Sequence, residues 1–407
     1  MRFTVKSIIG IILFIFISIH TTFAQSNNSL RSRRSSICSI LVKHDEQKFA
    51  NEIEQQFCHI PVSERFNDHN LSVRAVNVNN KKVTEQELTS FIITNNIASR
   101  LAAKWFDRNV LTGECTLDTI RQRGLYDASV FDHELASRSL RGKALLEDAG
   151  EDLIGNTYLL LNEVDYIDKA KKSQIWGAIG GIAMGALMAA GGGNISDASD
   201  MMTNTAEIIS SYKGFSVKIT TRLYRLVWSD KISNEFFTEC YTESPNEVKK
   251  AAFESMRPKF QLEYMGSVTS KGGRTSFIGI NEEEPELMIR KACARAIDEN
   301  IVDLQHKFEP FRIKSPILSV DPQIKVPIGR KEGVITSSKF EVLEMQENNG
   351  KIKYHRVATI KPIATQIWDN RFMSDSEGAV NAELGATTFI KINGGEILPG
   401  MVIREID

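Results

Sequence analysis

The histidine and acidic side chains that could hold a metal or move a proton do not form a motif of known chemistry. His133 and Glu134 begin the His-Glu-x-x-His pattern of a zinc protease helix, but the second histidine is missing. His59, Asp68 and His69 would have to be gathered by the fold, because their spacing matches no usual ligand set. The sequence therefore predicts no metal and no cofactor. A pair of hydrolytic carboxylates needs no local motif, so a hydrolase stays open as an alternative.

The five cysteines also lack the spacing of a reactive or metal-binding pair. No two of them stand in a Cys-x-x-Cys pattern, which argues against a zinc ribbon and a thioredoxin-like site. An oxidising compartment would permit a disulfide, and Cys38 and Cys58 are the nearest pair in the sequence. The alternative is that the cysteines are small buried apolar residues.

The N-terminal segment has the order of a secretory signal peptide. Arg2 and Lys6 precede an apolar block at residues 8–17, and Ala24 ends a small-residue cleavage site. The block is shorter than the ~20 residues of a transmembrane helix, which disfavours the alternative of an uncleaved anchor. Gln25, rather than a cysteine, follows the expected cut, so no lipid anchor is predicted. We expect an exported protein in the periplasm or at the outer membrane.

Length and charge bound the remaining possibilities. The chain has 407 residues, a length that is typical of two or three domains. Its 50 basic and 51 acidic residues give a formal net charge of −1. A dedicated nucleic-acid-binding protein would carry a basic surface, so nucleic acid is not an expected partner.

Hydrophobic patterning divides the chain into an α+β domain and a C-terminal barrel. After the signal peptide of residues 1–24, residues 25–72 form a leader and the start of the first domain, and residues 73–313 form the α+β domain. We expect a mixed or antiparallel sheet with packed helices, because residues 215–228 alternate between an apolar and a basic face. Residues 314–407 carry short apolar runs separated by Gly and Pro turns, which predicts a small β-barrel.

Periodicity also predicts the individual elements. Strands are expected in the first domain at residues 73–78, 157–164, 215–228 and 260–268, and in the barrel at Val334 and at residues 340–343, 357–360, 388–392 and 401–403. Helices are expected from the capping box at Thr84 to a point before Gly113, and at residues 130–149 and 287–308.

The most unusual segment is a Gly- and Ala-rich insert at residues 173–199, between two predicted strands. It contains an uncharged run in which Gly177, Gly181 and Gly185 would share one face of a helix. Small residues at this spacing let two helices approach closely, and Trp176 suits a lipid interface. Three interpretations stay open: a membrane-inserting or self-associating segment, a buried helix within the domain, and a flexible connector.

Two short motifs mark the C-terminal region. Residues 326–334 lead into Phe340-Glu341-Val342, and residues 394–403 close the chain with Gly-Gly and Pro-Gly turns. This region resembles the SH3-like barrel that ends flagellar assembly protein T. The preceding domain, with a strand, a long insertion, a strand and a closing helix, loosely resembles curli-secretion and related periplasmic assembly proteins. The whole chain resembles exported proteins of Bacteroidetes, and none of these resemblances implies catalytic residues.

These observations favour a non-enzymatic scaffold or assembly factor of the cell envelope. Another envelope component would bind the barrel, and the expected partners of the chain are an envelope protein or a membrane surface. The insert would contact a membrane or a second copy of the chain through Trp176, Gly177, Gly181 and Gly185. The alternatives are an exported hydrolase that acts on cell-wall or glycan substrates and an adhesin-like surface protein.

Overall fold

The computed structural model describes most of the chain between residues 35 and 406. The described ranges are 35–63, 65–78, 83–126, 151–167, 212–277, 285–312, 314–348, 351–374 and 379–406. The predicted signal peptide, the helix predicted at residues 130–149 and the insert at residues 173–199 lie outside them.

Within these ranges the protein is α+β, as predicted, with two six-stranded sheets. The first sheet contains β1 (Ser36–His44), β2 (Asn67–Asp68), β3 (Ala75–Val78), β4 (Thr157–Tyr166), β5 (Tyr212–Leu226) and β6 (Leu262–Phe277). The second contains β7 (Lys314–Pro316), β8 (Ile324–Val326), β9 (Lys339–Asn348), β10 (Lys351–Pro362), β11 (Thr387–Gly394) and β12 (Val402–Ile406). The α-helices are α1 (Ala50–Cys58), α2 (Glu85–Thr94), α3 (Ile97–Trp105), α4 (Asp118–Tyr126), α5 (Asp230–Glu235), α6 (Glu247–Met256) and α7 (Pro285–Lys307).

The first sheet is mixed and is built around β1. Its order is β2-β1-β4-β5-β6, and β3 pairs with the β2 side of β1. Strands β2, β3 and β4 run parallel to β1, whereas β5 runs antiparallel to β4 and β6, as its one solvated face predicted. The strand β1 was not predicted, and the leader expected to begin at residue 25 ends before Ser36. Its residues are buried on both faces, so they show no alternation that would mark a strand.

Helices cover both faces of this sheet. Cys38, Ile40 and Val42 pack against α2 and α3 in one apolar cluster, and Leu41 packs against α1 and α7 in another. Helix α7 crosses β6 so closely that a Cβ atom at Gly272 would lie 1.8 Å from the carbonyl oxygen of Ala292. A residue with any side chain at this point of β6 would push the helix away from the sheet.

The capping box at Thr84 is confirmed, but the single helix predicted to follow it is wrong. The Thr84 hydroxyl accepts from the amide of Glu87 at 3.2 Å, and the Glu87 carboxylate accepts from the amide of Thr84 at 2.8 Å. Helix α2 then ends at Thr94, and α3 begins after Asn96, whose φ of 52° lies in the left-handed region. Asparagine tolerates this conformation better than most residues, so the apolar spacing continues across a break in the helix.

A buried polar network joins the central strands to α7. Thr221 Oγ1 donates to Asn162 Oδ1 at 2.8 Å, and Asn300 Nδ2 donates to Thr221 Oγ1 at 2.7 Å. Asn162 also reaches the hydroxyl of Ser39 on β1 at 3.0 Å. Buried polar groups are costly unless they are hydrogen-bonded, so this network specifies how β1, β4, β5 and α7 fit together.

The second sheet is antiparallel and nearly closed, as expected for a small barrel. Its order is β7-β12-β9-β10-β11-β8, and a bridge between Ser319 and Lys325 brings the β7 and β8 ends together. The predicted strands at residues 340–343, 357–360 and 388–392 lie within β9 to β11, and the one at 401–403 overlaps the start of β12, whereas Val334 is buried in a loop. Strands β7 and β8 were missed because three residues are too few to show alternation.

The barrel-like sheet rests on the end of α7. The side chain of Val302 fills the space beside Gly333, which has a φ of 81°. Arg404 donates to Glu341 at 2.6 Å and to Glu309 at 3.2 Å, and His306 lies 2.9 Å from Glu405. These contacts fix β9 and β12 against the first sheet's closing helix.

The cysteines form no disulfide. Cys38, Cys115, Cys240 and Cys293 are buried, and Cys58 is exposed. Cys38 and Cys58 are therefore not bridged. Four of the five cysteines are buried, as the alternative interpretation of small buried residues expected. Among the described helices, none combines the length and the apolar character that a bilayer crossing requires.

Candidate functional site

The residues predicted for membrane contact or self-association, Trp176, Gly177, Gly181 and Gly185, lie outside the described residues. The structure does describe the two strand ends between which they lie. Strand β4 ends at Tyr166 on the edge where the parallel strands β1 and β3 also end, and β5 begins beyond it at Tyr212. The carboxyl edge of parallel strands is the usual place for a ligand in open α/β sheets.

An aromatic cluster and a glutamine fasten this edge. The rings of Phe49, Tyr166 and Phe215 lie 4.9 to 5.7 Å apart, and Tyr166 and Phe215 are on either side of the insert in the chain. The Gln47 side chain donates to the carbonyl of Val164 at 2.9 Å and accepts from the amide of Tyr166 at 3.0 Å. The clamp formed by these four residues (Gln47, Phe49, Tyr166 and Phe215) ties the strand ends to the turn after β1.

A histidine and two carboxylates meet at the same edge. His44 ends β1, and its Nε2 atom lies 3.1 Å from Oε1 of Glu163 on β4. Asp165 is two residues further along β4, and one ligand atom from each of the three side chains lies within 4.8 Å of the others. His44 and Glu163 are buried, and Asp165 is half-exposed. This is a donor set that zinc could use if nothing else held it.

Basic side chains already hold both carboxylates of this cluster. Arg222 Nη1 lies 2.9 Å from Glu163 Oε2, and Lys218 Nζ lies 3.6 Å from Asp165. A divalent cation here would lie beside the guanidinium of Arg222 in a poorly solvated place, where like charges repel strongly. We therefore interpret the cluster as an ion network that ties β1, β4 and β5 together, and not as a metal centre.

The fold does not bring His59 and His69 together. His69 is buried, donates from Nε2 to the carbonyl of Leu101 at 2.9 Å and stacks on Trp105 with ring centres 5.1 Å apart. Burial lowers the pKa of His69 to about 3, so its ring is neutral and structural at ordinary pH. His59 lies in an exposed position and contacts the carbonyl of Gln55 in its own helix. His133 and Glu134 are outside the described residues.

A basic groove is lined by residues of β9, β10, β11 and β12 in the barrel-like sheet. It has a volume of about 660 Å³ and combines four basic side chains with three isoleucines and no acidic residue. Its lining residues are Lys339, Arg356, Thr359, Lys361, Ile390, Lys391, Ile392, Asn393 and Ile406.

The four cations of the basic groove have no acidic partner in the part of the chain that the structure describes. Arg356 donates to Thr359 at 2.6 Å, and Lys391 donates to the carbonyl of Gly395 at 3.2 Å. The neighbouring carboxylate of Glu341 is held by Arg404. Positive charge without internal compensation, beside exposed aliphatic side chains, is suited to an anionic partner.

The sequence did not reveal this groove, because its residues come from four strands. Lys339, Lys361 and Lys391 are far apart in the chain and meet only through the register of β9, β10 and β11. The available signal was the alternation in β10, where Lys361 follows the core residue Ile360 and must face outward.

No protein-family model matches this chain, and no curated protein matches it significantly.

Proposed function

We propose that this chain is a non-enzymatic scaffold or assembly factor of the cell envelope, and that its barrel-like sheet binds another envelope component. The basic groove is the observation that carries the proposal. Its four uncompensated cations and exposed isoleucines form a binding surface without any group positioned for bond cleavage. Charges of this kind steer an oppositely charged partner and select against a basic one.

The sequence supports the envelope location. The signal peptide pattern at residues 1–24 indicates export. The likeness of the C-terminal region to the SH3-like barrel of flagellar assembly protein T, and of the first domain to curli-secretion proteins, favours an assembly role. In this proposal the insert at residues 173–199 contacts the outer membrane or a second copy through Trp176 and the Gly177, Gly181 and Gly185 face.

The ion network also favours a scaffold over a hydrolase. A glycoside hydrolase needs two carboxyl groups that face a substrate cleft. Glu163 and Asp165 are the close acidic pair at the strand edge, but Arg222 and Lys218 engage them. Their arrangement serves the packing of the strands.

The proposal is tested by fractionating cells that express the full chain, followed by gradient sedimentation of the envelope fraction. The groove variant is Lys339→Glu with Lys361→Glu, and the control is Lys231→Glu with Lys271→Glu, two exposed lysines outside the groove. We expect the wild type and the control to sediment in an envelope assembly and the groove variant to leave it. A wild type that is monomeric in the soluble fraction, or equal behaviour of all three, would overturn the proposal.

Deletion of residues 173–199 tests the part assigned to the insert. We expect the shortened chain to be lost from the outer-membrane fraction while remaining exported. Unchanged sedimentation of the deletion variant would remove the insert from the proposal and leave the basic groove as the contact.

A further inference from the structure

Lysine and isoleucine side chains form a row across four strands in the basic groove. Ile406 on β12 pairs with Lys339 on β9, and Lys361 on β10 pairs with Ile390 on β11. The β9–β10 register pairs Phe340 with Ile360, so the next residues, Lys339 and Lys361, lie opposite each other. Like charges directly opposite each other destabilise a sheet, and an anion bound between them would relieve that repulsion.

The nearby carboxylates cannot supply this anion. Glu341 accepts from Arg404 at 2.6 Å, and Glu405 is held by His306 at 2.9 Å. Both contacts belong to the junction between α7 and the barrel-like sheet. Neither carboxylate is left to compensate the basic groove within the described part of the chain, which favours an anion from another molecule.

The shape and lining of the groove favour a polypeptide as that molecule. A concave groove excludes a flat bilayer surface but admits an extended chain. Sugar rings and nucleobases are usually held by aromatic platforms, whereas the apolar lining here consists of Ile390, Ile392 and Ile406. Acidic side chains match this mixture, because their carboxylates can face the lysines while their methylene groups contact the isoleucines.

Strand β11 also offers an open edge beside the groove. It pairs with β10 as far as Gly394, but β8 pairs with it only as far as Phe389. From Ile390 to Gly394, no strand among the described residues occupies the β8 side of β11. An exposed edge of this kind is a template for an additional strand from a partner.

We infer that the basic groove binds an extended segment of a partner protein in which acidic and aliphatic residues alternate, and that this segment adds as a strand to the open edge of β11. The inference rests on the proposed function and names its partner chemistry. Because neighbouring side chains of a strand point to opposite faces, the carboxylates of the segment lie on the face that carries Ile390 and Lys361, and its aliphatic side chains lie on the other face.

The probe is a fluorescein-labelled octapeptide of four Glu-Val repeats, with a Lys-Val octapeptide as its counterpart. Fluorescence anisotropy with the full chain should show binding of the acidic peptide only. Lys339→Gln with Lys361→Gln should weaken that binding about tenfold or more, because two charges facing the ligand are lost. The control variant Lys231→Gln with Lys271→Gln, which has the same net charge, should bind as the wild type does. Circular dichroism of each variant confirms that the sheet is retained.

Backbone methylation separates strand addition from charge attraction. An acidic peptide with N-methyl groups on alternate residues keeps its charge but loses the amides that would pair with β11, and we expect its binding to fall about tenfold or more. Equal binding of the methylated peptide, or of the Lys-Val peptide, would overturn the inference. If the groove variant leaves the envelope assembly but the acidic peptide does not bind, the proposed function stands and this inference fails.

Discussion

Replacing Arg222 with methionine tests the interpretation of the ion network at the strand edge. The side chains of Arg222 and Glu163 are 13% and 10% exposed, so the substitution leaves a buried carboxylate without its main counter-charge. Removing one partner of a buried pair costs about 3–5 kcal/mol. Since single domains are stabilised by only about 5–15 kcal/mol, the free energy of unfolding should fall by a large fraction. Urea denaturation followed by circular dichroism measures it.

The matched control is Lys218→Met on the same strand. Lys218 and its partner Asp165 are 43% and 42% exposed, so their contact is screened by water and contributes at most about 1 kcal/mol. The double variant Glu163→Gln with Arg222→Met should recover part of the loss, because no buried charge is then left unpaired. Equal and small effects of Arg222→Met and Lys218→Met would refute the interpretation, and so would simple additivity in the double variant.

Three further predictions concern α7, its junction and the insert. Burial raises the pKa of Asp298 from 3.8 to about 6, so the folded protein holds this proton more tightly and gains stability as the pH falls through 6. Asp298→Asn should remove that pH dependence and raise the free energy of unfolding at about pH 7.5 by on the order of 1–3 kcal/mol, as measured by urea titration. An unchanged dependence of stability on pH in this variant would contradict the prediction. Gly272→Ala should destabilise by about 1–3 kcal/mol or more, because its methyl group meets the Ala292 carbonyl; an unchanged urea midpoint would show that α7 lies further away. Deletion of residues 173–199 should leave the thermal midpoint of the purified protein nearly unchanged, and a drop of many degrees would show that the insert is part of the core.

The elements that the sequence predicted have one solvated face, a local signature or, as in β4, an unbroken apolar run. The strand β5 alternates apolar residues with basic ones such as Lys218 and Arg222, and the capping box of Thr84 is readable within four residues. The strand β1 escaped prediction because Cys38 and Leu41 face opposite buried surfaces, so its apolar residues do not alternate with polar ones. Apolar periodicity also did not predict the helix break at Asn96, because the spacing of apolar residues shows which face of a helix is buried and does not show the backbone angles.

The candidate site was less predictable than the fold. The basic groove depends on which residues lie opposite one another, and register is set by the whole barrel-like sheet rather than by any one strand. Lys339 and Lys361 become neighbours only because Phe340 pairs with Ile360. The ion network likewise joins His44 to Glu163 across a large separation in the chain. Such juxtapositions have no signal in a single sequence.

The clamp of Gln47, Phe49, Tyr166 and Phe215 holds the strand ends in place, so the chain segment that joins β4 to β5 can be exchanged for another. Because β4 and β5 are neighbouring strands, a segment that leaves after Tyr166 returns to nearly the same point, whatever its length. Even for a wholly flexible chain, a tenfold change in the length of such an excursion alters the closure free energy by only about 2 kcal/mol. Segments of other sizes and chemistries can therefore be grafted between β4 and β5 while the sheet that carries them stays the same.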